Sequence, residues 1–279
     1  MQKKVIFVIH YIHEVKMKDA QEILNWYILA GVDTLCSDAT LNYVHSEDVA
    51  TKGAATPKQT EAAQGSARPA TTILAQTKSA AYINAREICA QAHTLDDLKA
   101  MLENFEGCAL KFSANSTVFG YGNPQAEIMI IGEAPGADED RIGEPFVGRS
   151  GHLLDKMLSA IGIQRQDCYI TNILPWRPPG NRTPTDGEVA VCLPFLQRQI
   201  ELIKPKIILL LGASAANAVL NLSSSVSQLR GQFIDYQSEN NLSIPTLISY
   251  HPAYLLRTPT QKAKTWVDFL RLRKKLATL

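Results

Sequence analysis

The sequence has no C-x-x-C pair, no G-x-G-x-x-G and no G-x-x-x-x-G-K-[ST], which removes the common metal, dinucleotide and P-loop signatures. No stretch approaches the ~20 apolar residues of a membrane span, so no membrane association is expected. The five cysteines, Cys36, Cys89, Cys108, Cys168 and Cys192, are odd in number and widely spaced, which argues against a disulfide framework and fits a reducing cytoplasm. The opening MQKKVIFVIHYIHEV pairs two lysines with a short apolar run. Its histidines interrupt that run and no small-residue cleavage site follows, so no export signal is expected. Charge of one sign is also missing: 28 Lys+Arg face 27 Asp+Glu. Residues 105–279 hold 18 of those bases and 15 of those acids, a mild basic excess that permits nucleic-acid binding without demanding it.

What is present suits a globular α/β protein. The 279 residues are 46% hydrophobic, enough for one large domain or two modest ones. DAQEILNWYILAG, from Asp19 to Gly31, reads as an amphipathic helix with a capping box and a glycine stop; Met17 just before it could serve as an alternative start. Residues 45–80, rich in Ala, Thr, Ser, Gln, Lys and Pro, lack an apolar period and read as a flexible linker. An Ala-rich helix is expected near 79–92 and another opening at Thr94. The division expected is therefore a helical segment 1–44, a linker 45–80 and an α/β domain 81–279 that includes the lead-in helices.

Four short apolar runs follow: EIMIIG ending at Gly132, CYITNIL at Leu174, KIILLLG at Gly212 and PTLISY at Tyr250. They lack polar alternation, as strands buried on both faces do. Helical patterns at 150–161, 185–203, 213–221 and 260–276 separate or follow them. The fold expected is a three-layer sandwich with a central, mainly parallel four-stranded sheet flanked by helices. In such sheets the ligand crevice lies beyond the carboxyl ends of the strands. The four exits read GEAPGADED, continuing into PFVGRSGHLLDKML; TNILPWRPPGNRTPT; GASAA; and HPAYLLR. They offer carboxylates, an amide with arginines, small residues at a helix start, and an imidazole.

These motifs, in this order at strand ends, resemble the uracil-DNA glycosylase superfamily, most closely its family 4, over roughly residues 105–275. The resemblance implies an enzyme that hydrolyses the N-glycosidic bond of uracil in single- or double-stranded DNA, leaving an abasic site for base-excision repair, and acting as a monomer. Such chemistry takes the base out of the stack and reads its edge in a pocket. Phe146 would stack on the base and Asn172 would face its N3 and O4, since an amide both donates and accepts. His251 would donate to O2, where negative charge grows. Glu133 and Glu139 are the acidic positions of the first motif, and either could direct the attacking water; Asp138 and Asp140 are expected as solvated or helix-capping charges. Ala134, in the uracil pocket, stands where another branch has a catalytic aspartate, and Gly136 where that branch has a tyrosine excluding thymine. Leu255 and Leu256 resemble the wedge that fills the gap left by a flipped nucleotide, one of them expected to be ordinary packing. Arg177, Asn181, Arg182, Arg257 and Ser214 are candidates for phosphate contacts.

The sequence departs from the family in one respect. Many family 4 members carry a 4Fe-4S cluster on four cysteines, and the matching positions here are Phe105, Cys108, Trp176 and Cys192. Two thiolates do not supply a ligand to each iron, so no cluster and no other cofactor is expected. No RRIH-like element follows the central motif, so the covalent cross-linking seen in one branch is not expected either. The alternatives are a non-catalytic DNA-binding or phage-type DNA-polymerase-associated module and, less favoured, a nucleotide-binding enzyme.

Overall fold

A computed structural model describes residues 81–279; the helix expected at 19–31, the linker at 45–80 and the alternative start at Met17 lie outside the described residues. Residues 81–90 form helix α1, and α2 spans Leu95–Asn104. Thr94 caps α2 in a capping box with Asp97, as its position before the apolar period implies.

The sheet is built on the four apolar runs. Strands β2 (Ile128–Gly132), β3 (Cys168–Asn172), β4 (Ile207–Leu211) and β6 (Ser243–Ser249) pair in parallel in the order β3-β2-β4-β6. Every residue of β2, β3 and β4 is buried, because helices cover both faces. The sheet has six strands, however, where four are expected. β1 (Tyr121–Gly122) runs antiparallel along β3, and β5 (Phe233–Gln237) antiparallel along β6. Both are edge strands, one of two exposed residues and one only partly buried, so neither carries the continuous apolar run that marks the interior strands.

Alternate residues of β2 enter different cores. Met129 and Ile131 pack with α1, α2, α5 (Asp186–Ile203) and α6 (Ala213–Leu220). Ile128 and Ile130 pack with α4 (Arg149–Ala160) and α9 (Lys262–Leu276). This two-residue alternation makes the three layers. Three short helices, α3 (Ala137–Ile142), α7 (Val226–Leu229) and α8 (Pro252–Arg257), are too brief to show a period in sequence. Among the described residues no helix is long and apolar enough to cross a membrane.

Register determines what meets at the strand exits. Gly132 lies beside Asn172, and Leu211 beside Ser249, two residues before His251. The loops carrying Glu133, Ile173, Gly212 and His251 therefore leave the sheet at one end.

Candidate active site

At that end a cleft of about 260 Å³ is lined by residues from three exits, among them Glu133, Ala134, Phe146, Asn172, Asn181, Arg182, His251 and Arg257. A cleft of similar size, about 270 Å³, lies beside α1 and α5, but its Arg198 and Glu201 neutralise each other at 2.8 Å.

Asn172 ends β3, and its carboxamide oxygen is buried with no hydrogen-bond partner among the described residues. A buried unsatisfied acceptor costs about 1–3 kcal/mol, which a ligand's N–H would recover. Gly132, its neighbour in register, is glycine for reasons of space: a Cβ there would collide with Asn172 Oδ1 and with the Phe146 ring. The floor of the cleft is thus an amide and an aromatic face in close approach.

Phe146 is buried and has a left-handed backbone, φ 54°. That conformation costs a non-glycine residue roughly 1–3 kcal/mol and persists only where neighbours fix it. Gly151 on α4 is one such neighbour, since any side chain there would strike the Phe146 carbonyl. The Phe146 ring lies 5.5 Å from the His251 ring, centroid to centroid, at 31°.

His251 caps α8: its Nδ1 accepts from the Ala253 amide at 3.1 Å, and Pro252 follows at the first helical position. Burial, with a smaller contribution from the Arg257 charge, pushes its pKa down from 6.5 to about 4. The ring is neutral at pH 7, and because Nδ1 accepts, the proton sits on Nε2. A neutral N–H donor results.

The two candidate glutamates differ. Glu139 is buried, and its oxygens accept from the amides of Gly136 at 3.1 Å, Val147 at 3.0 Å and Gly148 at 2.9 Å. It fastens the first loop to the segment bearing Phe146. Glu133 is half-buried in the cleft wall, and the Ser214 hydroxyl donates to its Oε2. Ser214, expected at a phosphate, thus spends its hydroxyl on Glu133. Asp138 is exposed, as expected. Asp140, expected to be solvated or capping, is instead buried and accepts from the Asn115 and Ser116 amides and the Asn115 side chain. These donors replace the water that a buried carboxylate gives up.

The wedge candidates separate as well. Leu255 is fully buried in the α4 and α9 core, which corrects its assignment as a DNA contact: it has no free face to insert. Leu256 is 37% exposed at the rim. Arg177 donates through Nε to Asn181 Oδ1 at 2.7 Å, with its Nη1 3.9 Å from Asp140. Arg182 makes a two-pronged pair with Glu188, at 2.9 and 2.6 Å, which draws the Glu188 carboxyl down to about 2. Arg257 is exposed at the rim. The sequence marks Gly132 only as a strand end, and Ser150 and Gly151 only as part of PFVGRSGHLLDKML; the role of Gly132 is visible through its pairing with Asn172.

The four positions matching cluster ligands share one buried core. Cys108 and Cys192 are both buried in it, and the two thiols influence each other's ionisation, drawing Cys108 down and pushing Cys192 up. Phe105 packs on Phe195, with ring centroids 5.1 Å apart, and Trp176 donates to Thr117 Oγ1 at 3.0 Å. With two thiols and two aromatic side chains in these places, the residues do not fit a 4Fe-4S cluster.

Comparison with known proteins bears on this geometry. Residues 119–271 match the model of the Uracil DNA glycosylase superfamily. The chain is 40% identical to a Type-4 uracil-DNA glycosylase of Archaeoglobus fulgidus over 183 residues, 64% of this chain and 92% of that protein. It is 39% identical to a Type-4 uracil-DNA glycosylase of Pyrobaculum aerophilum over 179 residues, 62% of this chain and 90% of that protein. With a Type-4 uracil-DNA glycosylase of Thermotoga maritima it shares 42% identity over 158 residues, 56% and 80% of the two chains. On the matched motifs and the sheet that carries them, the chain belongs to the uracil DNA glycosylase superfamily.

Proposed function

We propose that the protein hydrolyses the N-glycosidic bond of uracil in DNA, releasing free uracil and leaving an abasic site. The observation that carries this reading is the unsatisfied amide of Asn172 against the Phe146 face, with a neutral imidazole donor beside it. Uracil offers N3–H and O4 on one edge, so Asn172 accepts from the first through Oδ1 and donates to the second through Nδ2. Cytosine offers an unprotonated N3 and an amino group there, and leaves both amide atoms mismatched. Phe146 stacks on the extruded ring.

As the C1′–N1 bond breaks, the electron pair moves onto the base and its O2 becomes anionic. The neutral His251 donates a hydrogen bond from Nε2–H to that charge without transferring its proton, and a prearranged donor of this kind contributes about 3–4 kcal/mol. Glu133 is the carboxylate that directs water: Ser214 occupies Oε2, and Oε1 is left to accept from the water attacking C1′. Glu139 acts by holding the loop. Leu256 fills the gap in the stack, while Arg177 and the cleft-lining Asn181, Arg182 and Arg257 meet phosphates. Repair glycosylase action of this kind needs no cofactor, and we assign none: the Cys108–Cys192 pair with Phe105 and Trp176 forms an apolar packing centre.

The test is a labelled oligonucleotide with a single uracil, incubated with protein and then treated with alkali. Strand breakage at the uracil, and none where cytosine replaces it, is the expected result. Intact strands across a range of salt would refute the proposal.

A further inference from the structure

Phe146 is gripped by two charged side chains of opposite sign. On one side Glu139 takes the successive amides of Val147 and Gly148. On the other, the Arg165 guanidinium takes two successive carbonyls: Nη2 donates to Pro145 O at 2.5 Å and Nη1 to Phe146 O at 3.0 Å. Arg165 opens the 3₁₀ turn Arg165–Asp167 that leads into β3, outside the cleft lining. Its own place is fixed by Asp155 of α4, 3.1 Å from Nη1, and by the Tyr121 ring of the edge strand, 5.0 Å from the guanidinium carbon. Phe146, where the two grips meet, has a left-handed backbone.

We infer that Arg165 is a positioning residue: its fork on the Pro145 and Phe146 carbonyls sets the plane of the Phe146 ring and hence how well the cleft holds an extruded pyrimidine. The inference rests on the proposed function of the cleft. A planar fork takes both carbonyls in one fixed orientation; a lysine ammonium, with three freely rotating donors on a flexible stem, does not fix the peptide plane in the same way. Gly132 lies close beneath the ring, so even a small tilt changes the space the cleft offers a base.

The role predicts a particular kinetic pattern. Losing the fork tilts the platform without touching the groups assigned to phosphates, so kcat falls while KM for DNA stays the same. The experiment measures uracil excision by the full chain and by Arg165→Met, Arg165→Lys, Phe146→Ala and the Phe146→Ala/Arg165→Met pair, at a temperature where circular dichroism shows each variant folded. Arg165→Met should lower kcat by about 10-fold to 100-fold, the scale of a small misplacement of a reacting group. KM should move by less than about twofold. In the Phe146→Ala background the same substitution should add less than about twofold, since the ring it positions is gone. If Arg165→Met does not fold, Arg165→Lys supplies the same comparison in both backgrounds. An equal loss with and without the Phe146 ring, or a raised KM at unchanged kcat, overturns the positioning role. No excision by the wild-type protein overturns the function of the cleft and this role with it, whereas wild-type excision matched by Arg165→Met overturns the role alone.

Discussion

At the scale of single residues, the site depends on two groups whose hydrogen-bonding state is fixed by the fold. His251 keeps its proton on Nε2 because Nδ1 serves a helix cap, and Asn172 keeps an open acceptor because no donor among the described residues reaches it. His251→Ala should lower the excision rate by about 10²-fold to 10³-fold with DNA binding retained, read by single-turnover kinetics and a gel-shift titration. The two leucines make a paired prediction. Leu255→Ala should cost about 2–5 kcal/mol in urea denaturation, as a buried leucine does. Leu256→Ala should change stability by less than about 0.5 kcal/mol, yet slow excision from duplex more than from single-stranded DNA, where no stack needs filling. Residue types at the strand exits were legible in sequence, but side-chain commitments were not. HPAYLLR does not say which leucine faces the core, and GEAPGADED does not say that Glu139 and Asp140 turn inward. Those choices are made by the amides each carboxylate meets in the folded loops.

At the scale of elements, the strand register does most of the placing. Pairing Gly132 with Asn172 brings the first and central motifs together, and the α8 cap brings His251 to the same point. The segment from α3 to α4 supplies the aromatic face under strain, and Gly151 is where that strain is accommodated. Gly151→Ala should displace the Phe146 carbonyl, lower the melting temperature and reduce excision by about 10-fold or more. A wild-type melting curve and full activity in this variant would show that the segment can shift without consequence. The four interior strands and the long helices were legible because each buries a continuous run or a helical stripe. The edge strands β1 and β5 and the helices α3, α7 and α8 were not, since two to six residues with exposed faces carry too little periodicity.

At the scale of the whole molecule, two properties follow. The purified protein should be colourless, with iron far below the about four atoms per chain of a full cluster; a brown, iron-loaded preparation would contradict the apolar packing centre around Cys108 and Cys192. Stability should also depend on pH through His251. Its folded pKa is depressed to about 4 against 6.5 unfolded, so the unfolded chain gains the proton first as pH falls. The contribution is fully present above pH 6.5 and is lost toward pH 4, about 3 kcal/mol over the window. Asp268 works in the opposite sense, because burial outweighs the Arg230 charge and raises its carboxyl to about 6. Comparing urea curves of the wild type and His251→Gln from pH 7 to 4.5 isolates the histidine: the variant should lose less stability than the wild type on acidification. The most direct test of the central claim is chromatographic measurement of free uracil released from a single-uracil oligonucleotide by the wild-type protein and by Asn172→Asp. The account predicts stoichiometric release by the wild type and a loss of about 10²-fold or more in the variant, whose carboxylate repels O4, with DNA binding unchanged. Equal release by both proteins, or none by the wild type, would contradict it.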